Sequence, residues 1–399
     1  MTTSMQQPPP VAPFKHAFDR VALVLQGGGA LGSYQAGVFE GLATHGIEPD
    51  WIAGISIGAI NCALIAGNAP ERRVERLREF WETVCQPAYF AGSAEWLQAS
   101  AARAGGLART LFNAFEAGRT VVEGQRGFFT PRLVPPWLPE SDLRRLSWYD
   151  ISPLKQTLER LVDFDRINDG PMRVTVSAVN VATGNLECFD NREGRWQGRL
   201  AAEHFMASGA LPPGFPAVQI EGDYYWDGGL VSNTPLAEVV AGTTNENTLV
   251  FQVDLWSARG PLPANLFDVE ERQKDIRYSS RTRAVTNMLA REHKLRMLLR
   301  EALDLVPASE RDKPWYAAAD CHAQDRRINI LHLIYQEKEW DGVNKDYEFG
   351  PLTMREHWAS GLDDLRRTLA HADWLEPPTP KKAVVTHDVH RGNGGGAPS

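Results

Sequence analysis

Short apolar runs alternate with stretches of helical spacing along most of the chain. Residues 21–25 form an uninterrupted apolar run, the pattern of a strand buried on both faces, and 34–44 then place apolar positions at helical spacing. Strand then helix recurs at 51–54 and 57–67, and 72–84 read as a charged amphipathic helix. Further on, 172–179 and 186–189 predict two strands separated by the turn Thr183-Gly184-Asn185, and 248–253 and 328–334 predict two more. This alternation predicts an α/β fold: three layers, α/β/α, around a largely parallel central sheet. Residues 51–66 imitate a membrane span. They carry Ser56 and Asn61, however, and number 16 where roughly 20 are needed, so they read as a buried strand and helix.

Three segments break the alternation. Residues 1–18 and 376–399 read as disordered tails, the second holding Pro377, Pro378, Pro380 and the run Gly394, Gly395, Gly396. Residues 86–150 are irregular, with Pro131, Pro135, Pro136 and Pro139 close to Phe128, Phe129, Trp137, Trp148 and Tyr149. So long an insertion is either a satellite with its aromatics packed inward or a lid over a site. The rest divides into a core domain, 19–245, and a mainly helical accessory region, 246–375, expected to pack on it.

Composition narrows the class. With 43% hydrophobic and 23% charged residues the chain is globular, neither collagen-like nor wholly disordered. Its net charge of −8 gives no reason to expect a nucleic-acid partner. Cys62, Cys85, Cys188 and Cys321 are widely spaced, with no CxxC, so neither a metal site nor a disulfide framework is expected. That usage and the polar, proline-rich start, unlike a signal peptide, lead to an expected cytoplasmic location. The total charge conceals a basic stretch: from 272 to 300 nine Lys/Arg face two acids, Asp275 and Glu292, a local +7. Val285, Met288, Leu289, Leu295, Leu298, Leu299 and Ala302 fall there at helical spacing. Such a helix either packs one face on the core or lies on an anionic bilayer, which makes peripheral membrane contact an expectation to test.

Two glycine-rich turns carry candidate chemistry. Gln26-Gly27-Gly28-Gly29-Ala30-Leu31-Gly32 follows the first strand and opens the first helix, where backbone N–H groups converge on an anion. A P-loop is excluded, because no lysine lies between Gln26 and Gly46. Gly27, Gly29 and Gly32 match G-x-G-x-x-G, but Glu48 and Asp50 precede the second strand rather than end it, which weakens a dinucleotide site. An oxyanion hole and a purely structural turn remain. The second turn, Gly54-Ile55-Ser56-Ile57-Gly58, is G-x-S-x-G between a strand and an apolar helix, the setting of a nucleophile elbow. The base for Ser56 is open on residues alone. Asp227, in Asp227-Gly228-Gly229 behind an aromatic run, is one candidate, desolvated by its neighbours or simply part of a hairpin turn. His293, His322, His332, His357 and His371 are the others, in a Ser…Asp…His order.

Together these segments resemble the patatin-like phospholipase family. The likeness extends to Ala207-Ser208-Gly209-Ala210-Leu211-Pro212 with Phe215-Pro216, and to Asn233-Thr234-Pro235, covering about residues 21–240. The resemblance implies a catalytic dyad of Ser56 and Asp227. It also implies an oxyanion hole from Gly27, Gly28, Gly29 and Ala30, with Gly32, Gly54, Gly58, Gly228 and Gly229 as supporting glycines, and no cofactor or metal. The activity implied is hydrolysis of lipid acyl esters, as in a phospholipase A or lysophospholipase. An esterase on other acyl or polyester substrates, and a lipid-binding scaffold without catalysis, are the alternatives. Where many members carry Arg or Lys in the glycine-rich loop, this chain has Leu31, so no side-chain contact to phosphate is expected there. Lys345-Asp346-Tyr347-Glu348-Phe349 and Thr353-Met354-Arg355-Glu356-His357-Trp358 resemble a region appended to some bacterial members, with His357 and Trp358 expected to pack a helix onto the core.

Overall fold

The computed structural model describes residues 17–86, 106–132, 142–242, 246–323, 326–338, 340–342, 344–379 and 384–390. The first half runs β1 (Arg20–Leu25), α1 (Gly32–Thr44), β2 (Trp51–Gly54), α2 (Ile57–Ala66), α3 (Arg73–Val84) and α4 (Gly106–Glu123). There follow a two-stranded ribbon, β3 (Thr130–Pro131) with β4 (Tyr149–Asp150), then α5 (Ser152–Leu161), α6 (Phe164–Asp169), β5 (Arg173–Asn180) and β6 (Leu186–Asp190). The second half runs α7 (Ala202–Ser208), β7 (Val218–Ile220), β8 (Asp223–Asp227), α8 (Leu236–Gly242), β9 (Thr248–Asp254), α9 (Leu266–Tyr278) and α10 (Thr282–Asp304). It ends with α11 (Pro314–His322), β10 (Ile328–Ile334), α12 (Pro351–Leu369) and β11 (Val384–His387).

Among the described residues, nine strands form one mixed sheet in the order β11-β10-β9-β1-β2-β5-β8-β7, with β6 on β5. From β11 to β5 every pairing along that order is parallel; β6, β7 and β8 add antiparallel neighbours. Period-two alternation in β1 explains the layers. Val21, Leu23 and Leu25 face one apolar layer with α1, α2 and α3, whereas Ala22 and Val24 face the other, with Trp51, Ala53 and Val250. That second layer is closed by Leu236, Val239 and Val240 of α8 and by Leu289 of α10.

The expected strands and helices of the core are present, and the fold is the expected α/β class. The accessory region is rich in helix, yet it also supplies β9 and β10, so the central sheet runs through both halves of the chain. Two expectations need correction. Within the expected tail, Val384–His387 pairs in parallel with β10, because the outer edge of β10 offers unpaired backbone groups that the segment satisfies. The basic stretch is two helices, α9 and α10, separated at residues 279–281, and of its apolar positions only Leu289 is buried. Residues 1–16 and 391–399 of the expected tails lie outside the described residues, whereas Phe18 packs in the core. Among the described residues no helix is long and apolar enough to cross a membrane.

Helix α12 docks on α1 as the sequence reading expects, with Trp358 and His357 turned inward. Two glycines allow it. A Cβ on Gly37 would collide with the Trp358 carbonyl, and one on Gly361 with the Tyr34 carbonyl. Tyr34 then donates a 2.8 Å hydrogen bond to Asp364 across the seam. Because both obstructing atoms are backbone, Gly361→Ala must push the helices apart, at a cost of about 1–3 kcal/mol. The expected outcome is a lower urea midpoint with unchanged slope; an unchanged midpoint would contradict the close seam.

Candidate active site

Ser56 sits on the sharp turn between β2 and α2 with φ 56° and ψ −124°, a conformation that costs a non-glycine residue on the order of 1–3 kcal/mol. The strain is held by neighbours. The Ser56 amide donates to both the carbonyl and the hydroxyl oxygen of Ser208, each at 3.1 Å, and the Ser208 hydroxyl donates to the Ser177 carbonyl at 2.7 Å. Gly54 and Gly58 let the turn close on itself and on β1: a Cβ on Gly54 would meet the Gly58 backbone at 2.5 Å, and one on Gly58 would collide with the Leu25 carbonyl. Ser208 is a support that sequence reading did not assign; its place in the quoted Ala207–Leu211 segment was the available signal.

Asp227 ends β8 and is buried. Its Oδ1 accepts from the Gly229 amide at 2.7 Å. Desolvation pushes its pKa up to about 7, with the Gly229 amide and the neighbouring Ser56 side chain pulling the other way and no cation opposing the shift. Gly228 makes the close approach possible, since a Cβ there would lie 2.5 Å from the Ser177 carbonyl.

The glycine-rich loop crosses in front of Ser56. Gln26, fully buried, is its anchor: Oε1 accepts from the amides of Leu255 (2.6 Å) and Trp256 (2.9 Å), and Nε2 donates to Thr234 Oγ1 (2.9 Å) and the Tyr278 carbonyl (3.0 Å). The candidate donors divide. The Gly27 amide is not available, because it donates to the Asn233 carbonyl at 3.2 Å, and Ala30 does not line the pocket. Gly28 and Gly29 do line it, and their amides have no acceptor among the described residues. Gly29 has φ +55° and lies against the Asp346 carbonyl, so a side chain is excluded there by both conformation and space. Gly32 packs against Ile57 and Trp81 and serves the helix contact.

These groups open into a narrow pocket with a cavity volume of about 70 Å³. Its apolar wall is formed by Ile57, Ile60, Phe128, Phe129, Phe215 and Phe349. The irregular insertion therefore turns Phe128 and Phe129 inward, with Phe129 5.2 Å from Phe215. Trp148 is half exposed, and Trp137 lies outside the described residues. The region after 250 also contributes Trp256, Tyr278, Asp346 and Tyr347, which sequence reading did not place at the site. Asp346 is held by Lys274 of α9, and the adjoining Lys345 is buried among Asp275 (2.9 Å), Glu337 (2.8 Å) and Glu271 (3.4 Å). Among the described residues no histidine lines the pocket. His332 instead pairs with Asp254 at 2.6 Å, and the His357 ring packs 5.0 Å from Tyr335.

A strained serine at a strand-to-helix turn, a buried carboxylate in the same pocket and free glycine amides thus meet at one end of an α/β sheet. The chain belongs to the patatin-like phospholipase family: residues 23–240, more than half its length, match that family, and residues 276–381 match a second family described as patatin phospholipase. Over 68 residues it is 38% identical to the triacylglycerol lipase SDP1L of Arabidopsis thaliana, a match covering 17% of this chain and 8% of that protein. The chain thus spans a small part of that relative. VipD of Legionella pneumophila aligns over 90% of this chain and 69% of its own, at 13% identity and a TM-score of 0.38.

The raised pKa of Asp227 has a consequence for stability. The folded protein holds this proton more tightly than the unfolded chain, whose aspartate titrates near 3.9, so stability falls as pH rises from about 4 to about 7. Asp227→Asn removes that penalty. The variant should be more stable than the parent at pH 8, by on the order of 4 kcal/mol, and close to it near pH 4. Equal urea midpoints at pH 8 would refute the desolvated carboxylate.

Proposed function

We propose that the protein is a serine acyl hydrolase acting on carboxylic esters of lipids, with Ser56 as nucleophile and Asp227 as its base. The observation that carries this reading is Ser56 and a desolvated Asp227 side by side at the foot of an aromatic pocket. Asp227 takes the Ser56 proton as Oγ attacks the ester carbonyl carbon. The amides of Gly28 and Gly29 receive the oxyanion. The alcohol leaves with the proton from Asp227, and the acyl group stays on Ser56. Water, deprotonated by Asp227, then attacks the acyl-enzyme and releases the fatty acid. The apolar wall suits an acyl chain, which supports a lipid rather than a sugar or peptide ester.

Ser56→Ala should abolish both ester turnover and labelling by a fluorophosphonate probe. In the parent enzyme kcat/KM should rise with pH and level off above about 7, since only ionised Asp227 is a base. Full turnover in the variant would end the assignment, and a lack of labelling in the parent would favour the scaffold. A rate flat between pH 5 and 9 would remove Asp227 as the base.

Peripheral membrane contact is a second proposal. On α10 and its C-cap, Met288, Leu295, Leu298 and Leu305 are each more than half exposed, and Arg291 and Lys294 lie among them. An apolar stripe with interleaved cations favours an anionic bilayer. Sedimentation with phosphatidylglycerol vesicles at low salt should retain the protein, and Leu295→Glu with Leu298→Glu should release it. No sedimentation of the parent would discard the surface.

A further inference from the structure

The apolar wall beside Ser56 is one interlocked cluster rather than a set of separate rings. Phe128 and Phe129 come from the insertion, Phe215 from the loop after α7 and Phe349 from the segment before α12. The Phe128 ring lies 5.6 Å from Phe129, 6.0 Å from Phe215 and 6.1 Å from Phe349, and Phe129 lies 5.2 Å from Phe215. Two further rings back them: Tyr149, 4.7 Å from Phe129, and Phe80 of α3, 6.4 Å from Phe128. The main chain that carries the rings is tied down as well. Gln125 and Phe129 exchange two backbone hydrogen bonds (2.7 and 2.9 Å), the Phe215 amide donates to the Leu211 carbonyl at 2.9 Å, and the Tyr149 amide donates to the Gly214 carbonyl at 3.0 Å. The space left is small. Its volume of about 70 Å³, at about 10–15 Å³ for each water-sized group, admits about five to seven such groups. An acyl group of about four to six carbons, counted with its carbonyl oxygen, fills it, whereas one of about sixteen carbons needs more than twice that room.

We propose that Phe128, Phe129, Phe215 and Phe349 restrict the acyl group at Ser56 to a short chain, of about four to six carbons. The proposal rests on the ester-hydrolase reading and adds an acyl class to it: short-chain esters over those of long fatty acids. Apolar contact by itself rewards every added methylene, so the same wall around open space would favour longer chains. Here a longer chain must displace a ring, and a displaced ring leaves its aromatic partners and the packing behind it. Phe349 reaches the wall on the strap whose Asp346 carbonyl backs Gly29, so one segment fixes both the acyl limit and the glycine-rich loop.

The experiment measures kcat/KM of the full chain on p-nitrophenyl esters from acetate to palmitate, all in one detergent. The expected maximum lies at butyrate or hexanoate, with dodecanoate about tenfold or more below it. Phe215→Ala and Phe349→Ala, made singly, should raise the dodecanoate-to-butyrate ratio about tenfold or more, and the milder Phe215→Leu and Phe349→Leu should move it the same way. The ratio of two esters on one preparation does not depend on how much of the protein is folded, so a variant of low stability still reports. A parent maximum at octanoate or a longer ester overturns the short-chain limit and leaves the hydrolase reading standing. A short-chain maximum whose ratio none of the four substitutions moves overturns the assignment to these rings. Turnover of no ester ends the hydrolase reading and the limit with it.

Discussion

Three turns from distant parts of the chain approach within backbone contact around Ser56, and the site depends on that approach. Gly58 lies under the end of β1, Gly228 under the Ser177 carbonyl, and Gly27 has Ser56 Cβ 3.0 Å from where its own Cβ would be. A methyl group at any of these places would displace main chain or an anchored side chain. The approach holds because each turn is tied by hydrogen bonds to the next. Ser56 is fastened to Ser208, Gly27 to Asn233, and Gln26 to Thr234, Leu255, Trp256 and the Tyr278 carbonyl.

That closeness sets the electrostatics. Bringing β8 against the Ser56 turn buries Asp227 with the Gly229 amide as hydrogen-bond donor and no counter-cation, which is why its proton affinity rises. The penalty falls on stability, and so does the backbone strain at Ser56. Both are carried by the large apolar layers on either side of the sheet, in which nearly every residue of β1, β2 and β9 is buried.

The second half of the chain is part of the same machine. β9 lies beside β1 in parallel register, and the residues just beyond it take the Gln26 side chain. Asp346 backs Gly29, and Tyr347 and Phe349 complete the aromatic wall. A buried lysine with three acids, Lys345, fastens this strap to α9.

Much of this was legible in order along the chain. The apolar runs at 21–25 and 51–54, the two glycine clusters and Asp227-Gly228-Gly229 mark the sheet's centre, the tight turn at Ser56 and the close approach beside Asp227, because local periodicity and the steric need for glycine leave a direct mark on sequence. Which glycine amide is free did not leave one: Gly27 and Gly28 are the same residue, and only the Asn233 carbonyl, some 200 positions away, distinguishes them. The choice between Asp227 and a histidine as neighbour of Ser56 was likewise open in the sequence; the fold puts His332 on Asp254 and His357 beside Tyr335. β11 was hidden in a tail-like composition, since its strand state comes from the edge of β10 rather than from its own residues. Contacts between residues far apart in sequence carry no local periodicity, so the walls of the pocket could be decided only by the folded chain.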